Sequence, residues 1–286
     1  MKKVLFVSHS ASRTGAPIVL LNFLRWFKKN TSIPFKVVLK DGGELEPEFA
    51  SLAPTLVVNQ SKTLYHRVLG RLGLYDTLQQ FRLQQFLTRE EIGLVYYNTV
   101  TNYELLEKLR FLNCPIITHV HELNFAISYF TSSAENFNLI NTLTTHFIAC
   151  SQAVKENLVN NRSIASDRIT TVYSFASTVP MKNEEILKKR EEIRRQLNIP
   201  QNAFIVGGSG TIDWRKAPDL FIQLARTIHS GHPDIPIYFL WVGGYGSQKH
   251  LEHDINNLSL DQYIRFIGLK SKEWKLNKIQ KSLWNN

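Results

Sequence analysis

Residues 204–225 (FIVGGSGTIDWRKAPDLFIQLA) carry the clearest chemistry in this sequence. The apolar run at the start of this stretch predicts a buried strand, and the apolar spacing after Pro218 predicts a helix. Between them lie a glycine-rich turn and the adjacent cations Arg215 and Lys216. Glycines let a ligand approach the backbone, and a helix N-terminus presents free N–H groups. Cations at a helix start oppose the helix dipole, so their placement predicts an anion, most simply a phosphate.

A second strand–glycine–helix unit opens the chain. Residues 4–7 predict a buried strand, and residues 18–29 have the apolar spacing of a helix. Pro17 suits a first helical turn, where its missing N–H costs nothing. Gly15 and Ala16 would then lie at another helix N-terminus.

The chain alternates predicted strands and helices, which is typical of α/β proteins with doubly wound parallel sheets. The other strands are predicted at 36–39, 55–58, 94–97, 115–120, 146–150, 169–172, 204–206, 237–242 and 263–267. We expect two Rossmann-like domains, residues 1–178 and 201–286, joined by a charged, solvated helix within 179–200. The second domain has few predicted strands, so we expect it to be incomplete.

Composition limits the possible partners. With 286 residues, 43% of them hydrophobic, and 20% charged, the sequence predicts a soluble protein. A net charge of +10 suits phosphorylated ligands, an anionic membrane surface, nucleic acid or no special partner. No nucleic-acid-binding module is recognisable, so nucleic acid is not expected. Two cysteines and no apolar run of about 20 residues favour a cytoplasmic protein without a membrane span.

Residues 62–89 form a basic, amphipathic stretch. We expect a helix that faces the core on one side and water on the other. The alternative is a peripheral contact with the cytoplasmic face of a membrane.

Several catalytic motifs are missing from the sequence. Asp213 stands where a dinucleotide fingerprint needs its third glycine, and neither a P-loop nor a G-x-S-x-G elbow occurs. No D-x-D is present to hold a metal-bound diphosphate. His119 and His121 lie two residues apart at a predicted strand end, so a metal pair is one alternative.

Taken in order, the motifs resemble those of family 4 glycosyltransferases with the GT-B architecture. The resembling segments are SHSASRTGAPIVLLNFL, VHELN, GSGTIDWRKAPDLFIQLA, YFLWVGGYG and RFIGL. The resemblance covers nearly the whole chain, and it is strongest over residues 204–246. It implies sugar transfer from a nucleotide-sugar donor with retention of configuration and without a metal or other cofactor, as in polysaccharide biosynthesis.

The resemblance also implies roles for particular residues. His121 matches the family histidine near the transferred sugar, and the first domain would take the acceptor. Gly15 and Ala16 match the loop that faces the donor diphosphate from that domain. The residues matching the donor side of the second domain are Gly210, Arg215, Lys216, Gly243 and Gly244.

Two departures from the family pattern stand out. Ala217 replaces the glycine that usually follows the lysine, which we expect to matter little because alanine starts a helix well. The later family motif of two glutamates separated by seven residues is absent, and Glu273 is the only acid after Asp261. The sequence therefore predicts a truncated second domain.

Two further hypotheses stay open beside the transferase. One is a catalytically incomplete remnant with weak or no donor binding. The other is a metal-dependent hydrolase centred on His119 and His121. The nucleotide, the sugar and the acceptor also stay open.

Overall fold

The computed structural model describes residues 1–59, 75–174, 182–244 and 249–268. The chain divides into two compact units, Met1–Thr178 and Val179–Asn286. Part of the basic stretch 62–89 and everything from residue 269 onward, Glu273 included, lie outside the described residues.

The first unit alternates strands and helices. Its strands are β1 (Lys3–Ser10), β2 (Phe35–Asp41), β3 (Thr55–Asn59), β4 (Ile92–Asn98), β5 (Ile116–Val120), β6 (His146–Ala149) and β7 (Ile169–Thr171). Its helices are α1 (Gly15–Asn30), α2 (Glu46–Leu52), α3 (Tyr75–Leu87), α4 (Tyr103–Lys108), α5 (Asn124–Thr131), α6 (Ala134–Leu143) and α7 (Gln152–Arg162). The strands form one parallel sheet in the order β3-β2-β1-β4-β5-β6-β7. The predicted doubly wound fold is confirmed.

Both faces of this sheet are covered, which explains why its strands are apolar without alternation. In β1, Leu5 and Val7 join the hydrophobic cluster on one face, while Val4 and Phe6 join the cluster on the other. The interior of the sheet is therefore filled by side-chain packing. The polar residues that end β1 and β4, such as Ser10 and Asn98, lie at the carboxyl edge of the sheet.

The second unit contains a smaller sheet. Its elements are α8 (Asn183–Gln196), β8 (Phe204–Ser209), α9 (Pro218–Gly231), β9 (Ile237–Val242), α10 (Lys249–Asn257) and β10 (Ile264–Phe266). The three strands are parallel in the order β10-β9-β8. Phe239 and Trp241 pack on one face of β9 and Leu240 on the other. This second, three-stranded α/β unit agrees with the predicted fold class. The expectation that residues 204–206 form a buried strand was wrong, because β8 lies at the edge of the described sheet, where Phe204 is 65% and Ile205 37% exposed.

The charged helix α8 differs in one respect from its predicted solvated character. Arg194, in its last turn, is 4% exposed. Its Nη1 donates to the carbonyl oxygens of Pro200 and Ala203, at 2.8 and 3.0 Å. The helix end is thus tied by hydrogen bonds to the segment before β8, because a buried guanidinium needs acceptors.

Among the described residues, no helix has both the length and the apolar character needed to cross a membrane.

Candidate functional site

The predicted glycine loop and histidine of the first unit lie at one place in the sheet. β1 and β4 are neighbours in the sheet although β2 and β3 separate them in sequence. In a parallel sheet, a crevice opens at such a reversal of strand order, at the carboxyl ends of the strands. β1 leads to Gly15 and Ala16, β4 ends at Asn98, and β5 leads to His121. The fold therefore brings the segments at the ends of β1, β4 and β5 together at one crevice.

The N-terminus of α1 is suited to bind an anion. Thr14, the N-cap residue, makes no side-chain hydrogen bond to the first turn within the described residues. The first turn has no acidic side chain, and Pro17 has no N–H. Apart from its chain neighbours and the backbone of its own helix, no described atom lies within 4 Å of where a Cβ on Gly15 would be. The N–H groups of Gly15 and Ala16 can therefore meet a phosphate, which the helix dipole also favours.

Asn98 links this helix start to the histidine. Its amide nitrogen, Nδ2, donates to the carbonyl oxygen of Ala16 at 3.1 Å. Its amide oxygen, Oδ1, lies 2.9 Å from Nε2 of His121. Asn98 is 1% exposed, so both hydrogen bonds are shielded from water on the Asn98 side. Two residues predicted from separate motifs are thus joined by a third.

The imidazole of His121 belongs to a group of neutral histidines. Burial, followed by repulsion from His9, lowers the pKa of His121 to about 4. Burial, followed by repulsion from His121, lowers the pKa of His119 to about 3. The His119 and His121 ring centroids lie 4.1 Å apart. Two such rings cannot both be charged at low cost, so His121 is neutral near pH 7.

Glu122 and Thr99 brace the turn that carries Asn98. Thr99 has a φ of 82°, which is an outlier for a β-branched residue. Its hydroxyl donates to the Glu122 carboxylate, which also accepts the N–H of His121 at 2.9 Å. Burial raises the pKa of Glu122 above its usual value despite these hydrogen bonds. These hydrogen bonds fix the end of β4 relative to the residues that follow β5.

The geometry around His119 bears on the metal alternative. Its Nδ1 lies 2.7 Å from the Tyr96 hydroxyl, and its Nε2 is buried without a hydrogen-bond partner among the described residues. Within the same described ranges, no group of three His, Cys, Asp or Glu residues could hold a metal ion. The metal-free expectation itself stays a prediction.

In the second unit, the predicted cations occupy a short 3-10 turn, Trp214–Lys216, between β8 and α9. The Asp213 carboxylate accepts the N–H of Arg215 at 2.9 Å and its guanidinium at 3.1 Å. Lys216 is exposed, and its methylene carbons lie against Gly210. Arg215 and Lys216 are therefore held near the glycine turn, as the sequence predicted.

Packing requires glycine at two positions of this unit, 208 and 243. A Cβ on Gly208 would lie 2.5 Å from the Trp241 ring. Gly243 has a φ of 148°, and a Cβ there would lie 1.9 Å from the carbonyl oxygen of Gly210. The buried Gly244 accepts the N–H of Ile212 at 3.2 Å. The turns after β8 and β9 therefore pack backbone to backbone.

One protein family model, described as Glycosyltransferase Family 4, matches residues 14–178. The chain belongs to this family. The matched segment contains Gly15, Ala16, Asn98 and His121. The crevice between β1 and β4 therefore lies within the family 4 region.

Two curated relatives match shorter parts of this family 4 chain. The D-inositol 3-phosphate glycosyltransferase of Corynebacterium urealyticum is 33% identical over 88 residues, which are 29% of this chain and 21% of the relative. The alpha-galactosylglucosyldiacylglycerol synthase of Streptococcus pneumoniae is 29% identical over 103 residues, which are 35% of this chain and 25% of the relative. The matches thus span about a quarter or less of these relatives' length.

A solved structure extends the likeness in fold. Anabaena Alr3699/HepE in complex with UDP and glucose is 20% identical, with a TM-score of 0.72. The match covers 95% of this chain and 70% of that one. The GT-B fold class is therefore shared over nearly the whole chain.

Ala217, where the resemblance implies a glycine, has a different role from the one predicted. It is the N-cap residue of α9, with φ and ψ of 50° and 54°. This left-handed conformation suits glycine and costs roughly 1–2 kcal/mol for other residues. The substitution is therefore a source of strain, and alanine's helix propensity does not describe it.

Sequence reasoning missed Asn98, Thr99, Glu122 and Trp241 as parts of these sites. Asn98 and Thr99 directly follow the apolar run of β4, so a polar pair at a strand end was an available signal. No signal in the sequence paired Asn98 with His121, which is 23 residues away.

Proposed function

We propose that this chain is a retaining glycosyltransferase that moves a sugar from a nucleotide-sugar donor to a glycan, lipid or other acceptor without a metal ion. The hydrogen-bonded series Ala16–Asn98–His121 carries the proposal. It holds an uncharged imidazole beside an anion-binding helix N-terminus. A nucleotide-sugar joins a sugar, rich in hydroxyl groups, to a diphosphate, and these two neighbouring groups suit its two parts.

The reaction breaks the bond between the sugar's anomeric carbon and a diphosphate oxygen, so negative charge grows on the diphosphate. Preorganised donors and cations aimed at that charge stabilise the transition state. In the first unit, the N–H groups of Gly15 and Ala16 are such donors. In the second unit, Arg215 and Lys216 supply the cations. Cations that neutralise a diphosphate take the place of a metal ion.

His121 would hydrogen-bond a hydroxyl of the transferred sugar. Gly210, Gly243 and Gly244 would form the backbone on the nucleotide side. HepE, which shares the fold, was solved with UDP and glucose, and this supports a uridine nucleotide as the first donor to test. The Streptococcus pneumoniae relative is named alpha-galactosylglucosyldiacylglycerol synthase, which supports a lipid among the acceptors to test. A peripheral membrane contact through residues 62–89 stays a prediction from the sequence.

Calorimetric titration with UDP-glucose, a GDP-sugar and an ADP-sugar tests the proposal. One donor should bind, and EDTA should leave its affinity unchanged. Turnover should give a product whose anomeric configuration, read by NMR, matches that of the donor. If no donor binds, the catalytic proposal fails and the incomplete remnant takes its place. A stoichiometric transition metal in the purified protein would instead support the hydrolase.

A further inference from the structure

We infer that Asn98 is a positioning residue that fixes the His121 imidazole with its proton on Nε2 and a lone pair on Nδ1. The inference rests on the proposed function, because it specifies how His121 would meet the donor sugar. With a lone pair on Nδ1, the imidazole can recognise a sugar hydroxyl by accepting a hydrogen bond from it.

The hydrogen bond to Ala16 sets the orientation of the Asn98 amide. A carbonyl oxygen only accepts, so the group of Asn98 that faces Ala16 at 3.1 Å must be its NH2. The amide oxygen of Asn98 then faces His121 Nε2 at 2.9 Å. An amide oxygen also only accepts, so Nε2 must be the donor. The backbone of α1 thereby sets the tautomer of a side chain that follows β5.

The opposite orientation of the Asn98 amide would cost free energy. Rotating the Asn98 amide by 180° would set its oxygen against the Ala16 carbonyl oxygen and its NH2 against Nε2. One contact would become a repulsion between two acceptors. Because Asn98 is 1% exposed, water cannot easily compensate for the lost hydrogen bond. The amide orientation is therefore strongly determined.

The backbone around Asn98 and His121 is held in place on several sides. Asn98 is the last residue of β4 and pairs in register with Ser8 of β1 and His119 of β5. The next residue, Thr99, is held at its unusual φ by Glu122, which also accepts the His121 N–H. The residue after Asn98 and the backbone of His121 are thus held by the same carboxylate. Strained, over-determined backbone of this kind is common at functional sites.

The experiment is 15N NMR of the histidine side chains, recorded on the full chain at neutral pH. In the unmodified protein, His121 should show a protonated Nε2 and an unprotonated Nδ1. In Asn98→Ala, we expect a mixture of both tautomers because the fixed acceptor is gone. His146, whose Nε2 lies 2.8 Å from the Thr170 hydroxyl, is an internal control that should not change.

Asn98→Asp is a second variant of nearly the same shape, in case Asn98→Ala folds poorly. Its carboxylate cannot donate to Ala16, and it stabilises an imidazolium, so the pKa of His121 should rise by about one unit or more. A His121 protonated on Nδ1 in the unmodified protein would overturn the inference. So would an unchanged tautomer in Asn98→Ala or an unchanged titration of His121 in Asn98→Asp.

Activity separates this inference from the proposed function. If a donor is turned over, Asn98→Ala should lower kcat roughly tenfold with a smaller change in KM, as expected for loss of one oriented hydrogen bond. If no donor binds but the NMR results are as expected, the proposed function fails and the positioning role stands. If a donor is turned over and both kcat and the tautomer are unaffected in Asn98→Ala, the positioning role fails alone.

Discussion

The indole N–H of Trp241 donates to the carbonyl oxygen of Gly210 at 3.0 Å, across the neighbouring strands β9 and β8. The same oxygen lies 1.9 Å from where a Cβ on Gly243 would be. Gly210 also donates its N–H to Val242 at 3.0 Å. Gly210 and Gly243, which the sequence assigns to a donor site, are therefore also needed for the turns after β8 and β9 to pack against each other.

Gly243→Ala should lower the free energy of unfolding by about 3 kcal/mol or more, because it combines a positive φ with a backbone clash. Gly207→Ala is the matched control, since a Cβ there meets no described atom within 4 Å. That variant should change stability by less than about 1 kcal/mol. Urea denaturation of both variants is the measurement. Equal stabilities would contradict the packing role of Gly243.

Ala217→Gly should stabilise the protein by roughly 0.5–1 kcal/mol. Glycine relieves about 1–2 kcal/mol of left-handed strain, and its greater freedom in the unfolded chain costs about 0.4–1 kcal/mol. Ala225→Gly, inside α9, serves as the control and should destabilise by about 1 kcal/mol or more. Thermal denaturation distinguishes the two signs. A loss of stability in Ala217→Gly would show that the left-handed conformation is not strained.

Arg215→Ala and Lys216→Ala should each weaken donor binding by about 1–3 kcal/mol, the loss expected for a charge-assisted hydrogen bond. The exposed ion pair between Arg215 and Asp213 is worth at most about 1 kcal/mol, so it does not prevent the guanidinium from turning to a diphosphate. Arg226→Ala, on the exposed side of α9, is the control and should bind normally. Calorimetry measures all three. Unchanged affinity in both test variants would place the diphosphate elsewhere.

The free energy of unfolding should fall as the pH is lowered from about 6.5 towards 4. His119 and His121 have folded-state pKa values of about 3 and 4, so over this range they take up protons only after unfolding. Each then contributes a slope of up to about 1.4 kcal/mol per pH unit. The lowered pKa of His9 acts in the same direction. The raised pKa of Glu122 has the opposite effect on stability, but the three histidines together outweigh this one group.

Urea denaturation at pH 7 and pH 5 measures this slope. His121→Asn is the control. It takes up about one proton fewer on unfolding, so its stability should depend on pH with a slope smaller by up to about 1.4 kcal/mol per pH unit. A stability that is equal at the two pH values would show that these imidazoles are already protonated in the folded protein or are not buried there.

The sequence was sufficient to predict most of the fold. Apolar runs such as residues 4–7 and 237–242 are buried strands, and helical spacing located α1 and α9. These patterns are local, because a strand that is buried on both faces of a parallel sheet needs apolar residues at successive positions. Strand order was only partly accessible, because it depends on which segments pair across long loops.

The candidate sites divide in the same way. The sequence by itself determined that Gly15 and Ala16 would begin a helix and that Arg215 and Lys216 would lie beside a glycine turn. Spacing along the chain is enough to establish such local relationships. Only the tertiary structure decided that Asn98 joins Ala16 to His121. That pairing depends on β1, β4 and β5 lying side by side, and a distance between residues on separate strands is set by packing and register.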